Sequence, residues 1–381
     1  MTKTNAANER IKREYFIFLR EAHRRDEQTI DGVAKSLVRF EQTTGAKDFG
    51  RFHRQQAVNF KAKLSEAANA RTGERLSKAT VAATLRDLRA FFQWLSREPG
   101  FRKRIAFADA DYFNLPDKVI AIARARREPK VPTLDQVRHV LATMPTTTPV
   151  ERRNRALIAF TVVTTARVGA LRSFRLGHVD LDGGYVEQDA RTVQTKAAKS
   201  FRTVFMPFDE TAMAIVAEWV TELRRDHLFG PDDPMFPATA MGLDSTGAFV
   251  PTGLLRQGWR STGPVRAIFR QAFALAGLPY YNPHSFRSMI IRHAMTLDLT
   301  PEEMKALSQN LGHSDVLTTF TSYGTVPMPR QAALIRSLAA PSKDGNNPRA
   351  DHVAALENLL ASLKAGETRM IEQAAAGERG A

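Results

Sequence analysis

The chain has no cysteine, which excludes disulfides and any cysteine-ligated zinc from its stability or chemistry. It lacks an apolar run of about 18 residues, so no transmembrane helix is expected. Its first residues, MTKTNAANERIKREY, lack the apolar core of a secretory signal. A cytoplasmic, nucleoid-associated protein without a membrane partner is the resulting expectation. Acidic residues are scarce in one region only. Residues 1–130 hold 28 Lys/Arg against 16 Asp/Glu, a net of +12, out of +15 for all 381 residues. A basic excess concentrated in one segment is the electrostatic footprint of a polyanion-binding surface.

What is present is a soluble composition, 43% hydrophobic and 25% charged, in a chain long enough for two domains plus tails. Apolar residues at helical spacing predict helices over 8–22, 30–43, 55–68 and 78–96, a four-helix bundle with a Phe-rich core. The last of these has Ser77 as its N-cap and ends at Glu98-Pro99-Gly100. Residues 101–132 read as an irregular, basic connector. Thr133 and Gln136 form a capping box, and a helix over 150–164 delivers the chain to Arg167.

Beyond it the pattern turns to strands. Gly183-Gly184 marks a turn, 185–188 and 191–196 read as strands, 197–199 as a second turn and 201–206 as a third strand. Helices return over 211–224, 264–276, 284–297 and 301–311, while 226–263 reads as a long surface loop. Thr300 and Glu303 make another capping box, and Gly312 ends that helix. A further helix is expected from Ser314 to near Tyr323, and one over 329–338. After Ala340 a flexible segment leads to an amphipathic helix over 351–364. The domain reading is 1–123, a linker at 124–132, 133–340, and a tail at 341–381. Overall the chain is mixed and mainly α, with a small antiparallel sheet in its second domain.

Six residues carry the chemistry: Arg167 in TTARVGALRSF, Lys196 in QTKAAKSFRTV, His284 and Arg287 in NPHSFRSM, and His313 and Tyr323 in LGHSDVLTTFTSYG. Transesterification of a phosphodiester without a metal needs guanidinium groups aimed at the nonbridging oxygens, where transition-state charge collects. Arg167 and Arg287 supply them. His284 lies three residues before Arg287, on one face of a helix that Pro283 helps to start. It can hydrogen-bond a phosphate oxygen or act as base toward an attacking phenol. Lys196, at a hairpin, can protonate the leaving oxygen. Lys199 competes for that role; Lys196 is favoured because the preceding strand would fix it. Lys78, Arg86, Arg89, Arg126, Arg127 and Lys199 are the candidates for DNA-backbone contact.

These strings resemble the tyrosine recombinase family, also called phage integrases, over about residues 8–340. The resemblance implies a helical core-binding domain of SAM-like type ahead of a catalytic domain, the two clamping double-stranded DNA. It implies that Tyr323 forms a 3′-phosphotyrosine and that Lys196 protonates the released 5′-hydroxyl. Arg167, Arg287, His284 and His313 would stabilise the transition state. Bond energy is conserved, so no cofactor is expected. Recombination implies a homotetramer on synapsed attachment sites, with accessory DNA-bending or directionality proteins as further partners. The chain departs from the family at Ala170, where many members carry an acidic residue behind the first arginine. It begins almost directly with the core-binding helices, so a separate arm-site domain is not expected. The leading reading is the integrase of a prophage or other mobile element. The alternatives are a non-catalytic DNA-binding regulator on the same fold, or a type IB topoisomerase or telomere resolvase.

Overall fold

A computed structural model describes residues 4–69, 72–125, 130–297 and 299–313, together with Gln331. The expected helices beyond Ser314, Tyr323 itself and the 341–381 tail lie outside the described residues, as do Arg126 and Arg127. The chain divides into two compact units, Met1–Arg127 and Glu128–Ala381. Helices dominate, with small antiparallel sheets, as the sequence led us to expect.

The first unit contains α1 (Ala6–Ile17), α2 (Glu27–Thr44), α3 (Arg54–Glu66), α4 (Lys78–Leu95) and α5 (Asp117–Arg124). The expected first helix does not run unbroken to 22. It passes at Phe18–Ala22 into a turn of wider π geometry. α4 is the spine. The Ser77 side chain accepts the Thr80 N–H, so one orphan amide of the first turn is satisfied, and Leu85, Leu88, Phe91, Phe92 and Leu95 are buried along one broad face. The aromatic core closes around it. Phe92 stacks on Phe52 at 3.7 Å between ring centroids, and Phe113 stacks on Phe52 at 5.6 Å.

Phe113 corrects the connector reading of 101–132. Residues Phe107–Phe113 form a 3₁₀ turn that buries Ala110 and Phe113 against the bundle, and α5 follows. Most of that stretch is therefore part of the first unit's structure. Its irregular pattern hid this because a 3₁₀ turn has neither the 3.6 nor the 2.0 period.

The second unit contains α6 (Leu134–Thr143), α7 (Pro149–Thr164), α8 (Val168–Leu171), β1 (Val179–Asp180), β2 (Tyr185–Gln188), β3 (Phe201–Val204) and α9 (Glu210–Arg225). There follow β4 (Thr239–Leu243), β5 (Phe249–Leu254), α10 (Gly263–Leu275), α11 (Pro283–Ala294) and α12 (Pro301–Asn310). α7 is buried on nearly every side from Ala156 to Thr164, which explains its weak amphipathicity: it is a core helix, packed against α9 and α11. The expected capping boxes at Thr133–Gln136 and Thr300–Glu303 are both present, and Thr148–Glu151 makes a further one at the start of α7.

Two strand readings need correction. Residues 191–196 are not a strand. The chain turns at Asp189, whose carbonyl accepts the Thr192 and Val193 amides, and a 3₁₀ turn follows over Lys196–Ala198. Residues 226–263 are not merely a loop, because β4 and β5 pair there as an antiparallel hairpin. Its register shifts between Ala240 and Met241, and that bulge breaks the alternation by which a strand is recognised. The main sheet has the order β1-β2-β3, with Tyr185 opposite Val204 and Gln188 opposite Phe201.

Candidate functional site

The site is assembled where several helix ends meet. α7 ends at Thr165, a buried non-glycine residue held in the left-handed region at φ +51°. That conformation turns the chain sharply into Ala166 and Arg167, and Arg167 is the N-cap residue of α8. Arg287 comes from the second turn of α11. Its helix starts on Asn282, whose side chain accepts the Ser285 N–H, with Pro283 as the first helical residue.

Arg287 is only 3% exposed. Its guanidinium donates to the carbonyl of Thr165 at 3.2 Å, to the carbonyl of Leu311 and to Nε2 of His313 at 3.0 Å. Thr165 and Leu311 are the C-terminal caps of α7 and α12. The cation therefore sits between two helix C-termini, whose exposed carbonyls carry partial negative charge. One side chain ties α7, α11 and α12 together and fixes the elbow that carries Arg167.

His313 is aimed by the end of α12. The Gly312 amide bonds back to Gln309 and the His313 amide to Ser308, with Gly312 at φ +65°. This is the paired bonding of a Schellman cap. A side chain at 312 would be strained by that φ, and its Cβ would stand 2.4 Å from the Phe201 ring. Glycine is required on both counts. The Asn310 side chain then docks the sheet. Its Oδ1 accepts the Val204 N–H at 2.7 Å and its Nδ2 donates to the Val204 carbonyl at 2.9 Å, as a neighbouring strand would. The Asn310 carbonyl also accepts from the Thr203 hydroxyl at 3.0 Å. These bonds hold the β2–β3 pair, and hence the lysine segment, against the end that presents His313.

Arg167, Lys196, His284, Arg287 and His313 share one electrostatic neighbourhood. Crowding by protein around His284, whose outer edge stays open to solvent, lowers its pKa below the ordinary histidine value. Arg287, Arg167 and Lys196 push it the same way. Burial lowers His313 further, to about 4, with help from Arg287, Arg167, Lys199 and Lys196. Both imidazoles are neutral at pH 7. Arginine can only donate, so Nε2 of His313 accepts from Arg287 and the proton of that ring resides on Nδ1. Such a site concentrates cationic and hydrogen-bonding groups for an anion while keeping a neutral imidazole, His284, able to take a proton.

Lys196 is exposed on the 3₁₀ turn between β2 and β3. No strand precedes Lys196 to fix it, so the expected ground for preferring it to Lys199 fails; both ammonium groups depress His313, Lys199 more than Lys196, and Lys196 also depresses His284. Ala170 is 1% exposed, inside the core; the Arg167 carbonyl accepts the Leu171 N–H at 2.9 Å, and among the described residues its side chain makes no hydrogen bond or ion pair. In the first unit, Lys78 and Arg86 are exposed; Arg86 pairs with Asp87, and Arg89 with Asp111 at 2.8 Å. Arg86, Arg89 and Arg124 line a cleft of about 360 Å³ beside α4 and α5. Arg39, Lys63 and Arg75 line a second of about 610 Å³, which the sequence pattern did not single out.

The sequence model of the phage integrase family matches residues 130–328. The chain belongs to the phage integrase family. It is a site-specific recombinase of the tyrosine type. The tyrosine recombinase XerC of Lactobacillus delbrueckii subsp. bulgaricus is 25% identical to this family member over 252 residues, 65% of the chain and 72% of that protein. The tyrosine recombinase XerD of Neisseria meningitidis is 27% identical over 196 residues, 50% of the chain and 57% of that protein. Among solved structures, the XerH site-specific recombinase bound to its difH substrate superposes with a TM-score of 0.54 at 14% identity, covering 87% of this chain and 84% of that one. A lambda integrase tetramer bound to a Holliday junction gives 0.53 at 15% identity, covering 84% and 77%. These two likenesses establish the integrase-family fold. Among the described residues, no helix is long and apolar enough to cross a membrane.

Proposed function

We propose that this chain cuts and rejoins double-stranded DNA at specific attachment sites, with Tyr323 as nucleophile, to integrate or excise a prophage or other mobile element. The observation that supports the reading most is the gathering of two arginines, a lysine and two neutral histidines around the elbow that follows α7. In the proposed step the Tyr323 oxygen forms a bond to phosphorus and the bond from phosphorus to the 5′-oxygen breaks. The phenolic proton passes to His284, and the departing oxygen takes one from the Lys196 ammonium. Arg167 and Arg287 balance the charge that grows on the nonbridging oxygens. His313 keeps its Nδ1 proton and donates a hydrogen bond through it to a nonbridging oxygen. Reversal by a 5′-hydroxyl from a second duplex completes strand exchange.

The first unit would supply the hold on DNA, through Lys78, Arg86, Arg89, Arg126 and Arg127, with Lys199 contacting backbone in the second. Exchange between two duplexes calls for four copies of the chain, as in the lambda integrase tetramer, and for work beside the nucleoid in the cytoplasm. Accessory bending or directionality proteins fit the same scheme. A duplex nicked near the cleavage point tests it, because the short released fragment diffuses away and traps the covalent state. The native chain is expected to give a covalent protein–DNA adduct and Tyr323→Phe none. No adduct with either chain would leave a DNA-binding regulator as the better account. Relaxation of supercoils without exchange between partners would point to a topoisomerase.

A further inference from the structure

Lys196 projects from a connection, residues 189–200, whose near half is anchored and whose far half is open. Val193 is buried in the core. The Thr192 hydroxyl lies 2.9 Å from Nε2 of His178, whose Nδ1 accepts the Arg175 N–H at 2.9 Å. The Gln194 N–H donates to Oγ of Ser173 at 2.8 Å. The Gln194 side-chain oxygen accepts from Nη2 of Arg172, while Nη1 of the same arginine donates to the carbonyls of Trp259 at 3.1 Å and Arg260 at 3.0 Å. Those carbonyls are on a fixed support: Trp259 is buried, and the buried Arg153 lies over its ring at 5.0 Å. The backbones also approach closely. A Cβ on Gly169 would stand 3.2 Å from the Gln194 carbonyl oxygen. Beyond Thr195, Lys196, Ala198 and Lys199 are exposed, and the next hold is Ser200, whose Oγ accepts the Ala190 N–H at 2.9 Å.

Lys196 therefore lies two residues past a clamp on Gln194. Arg172 and Ser173 form that clamp, and they follow directly on α8, the helix that Arg167 caps. We propose that Arg172 and Ser173 are positioning residues for proton delivery. Acting through Gln194, they hold Lys196 at a set distance from Arg167. This rests on Lys196 being the group that protonates the leaving 5′-oxygen. A lysine on a long connection samples many positions, and confining its root two residues away removes much of that freedom before DNA binds. Arg172 suits the task because its planar fork reaches two segments at once, the 259–260 carbonyls and the lysine connection.

The test separates positioning of the acid from general damage. Single-turnover cleavage is measured on two nicked duplexes, one ordinary and one in which sulfur replaces the bridging 5′-oxygen. A thiolate leaves without a proton because its pKa is far below that of an alcohol. Arg172→Ala and Gln194→Ala are expected to slow cleavage of ordinary DNA by about 10- to 100-fold and to recover near-native rates on the sulfur duplex. Gln194 is exposed, so its substitution leaves the core intact should Arg172→Ala fold poorly. Lys196→Ala is the control for the underlying assignment. If sulfur fails to rescue it, the role of Lys196 as acid falls and the inference with it. If sulfur rescues Lys196→Ala while the clamp variants are equally slow on both duplexes, or fully active on both, the positioning inference alone is overturned.

Discussion

The floor of the site and its lysine-bearing edge are built on opposite principles. The floor is made of helix ends. Arg287 is buried among carbonyls of Thr165 and Leu311, Gly312 closes a Schellman cap, and Asn310 stands in for a strand. The edge is an exposed turn held from one side through Arg172, Ser173 and His178. In the proposed mechanism the groups that meet the phosphate oxygens are thus placed rigidly, and the one that would meet the leaving oxygen, Lys196, is exposed. Arg287 in the floor is expected to carry stability and chemistry together, and Lys196 at the edge chemistry alone.

Arg287 should break that contrast most severely. Arg287→Ala strands two buried carbonyls and unties three helices. It is expected to lower stability by about 2–4 kcal/mol, seen as a lower thermal midpoint, and to abolish measurable cleavage. Lys196→Ala should leave the midpoint unchanged and slow cleavage of ordinary DNA by about 10²–10⁴-fold. Lys199→Ala, by contrast, should weaken binding and reduce the salt slope of affinity by about one unit. Arg167→Ala should cost about 2.7–4 kcal/mol of transition-state stabilisation, by analogy with removal of one oxyanion donor, with stability within about 0.5 kcal/mol of the native chain. Near-normal cleavage in that variant would remove Arg167 from the mechanism.

A smaller effect concerns pH. The folded-state pKa of His313, about 4, lies below the unfolded value of 6.5, and His284 is shifted the same way. Between those pH values the unfolded chain binds more protons, so stability is complete above pH 6.5 and is lost as pH falls toward 4. Urea midpoints measured across that window should decline, and His313→Gln should flatten the decline. Asn310→Ala is the mildest, at about 1 kcal/mol for side-chain bonds that lie partly in solvent, with a matching loss of cleavage if it loosens the β3–α12 junction.

The floor was largely legible in the sequence. Pro283, the Thr300–Glu303 box and Gly312 act within one turn of where they stand, so local chemistry reveals them, as it does Ser77 in the first unit and the Thr133–Gln136 box of α6. The spacing of His284 and Arg287 placed both near the start of one helix, and that helix is α11. The edge was not legible. A strand over 191–196 was expected between two turns, but only Val193 is buried there and the Asp189 carbonyl closes a turn instead. The partners of Arg172 lie 22, 87 and 88 residues away, and those of Asn310 more than 100, beyond any local pattern. The β4–β5 hairpin escaped notice because its bulge and the Pro251 and Gly253 positions disrupt the strand period. The phage integrase match covers residues 130–328, the part of the chain where the quoted strings lie.

The proposed strand exchange turns on a covalent bond at one side chain. Trapping the adduct on a nicked duplex, digesting the protein and sequencing the nucleotide-bearing peptide by mass spectrometry reads that bond directly. The expected peptide spans Tyr323, with the 3′-phosphate of the cut strand on its phenolic oxygen. Attachment at any other residue, or to a 5′-phosphate, would contradict it.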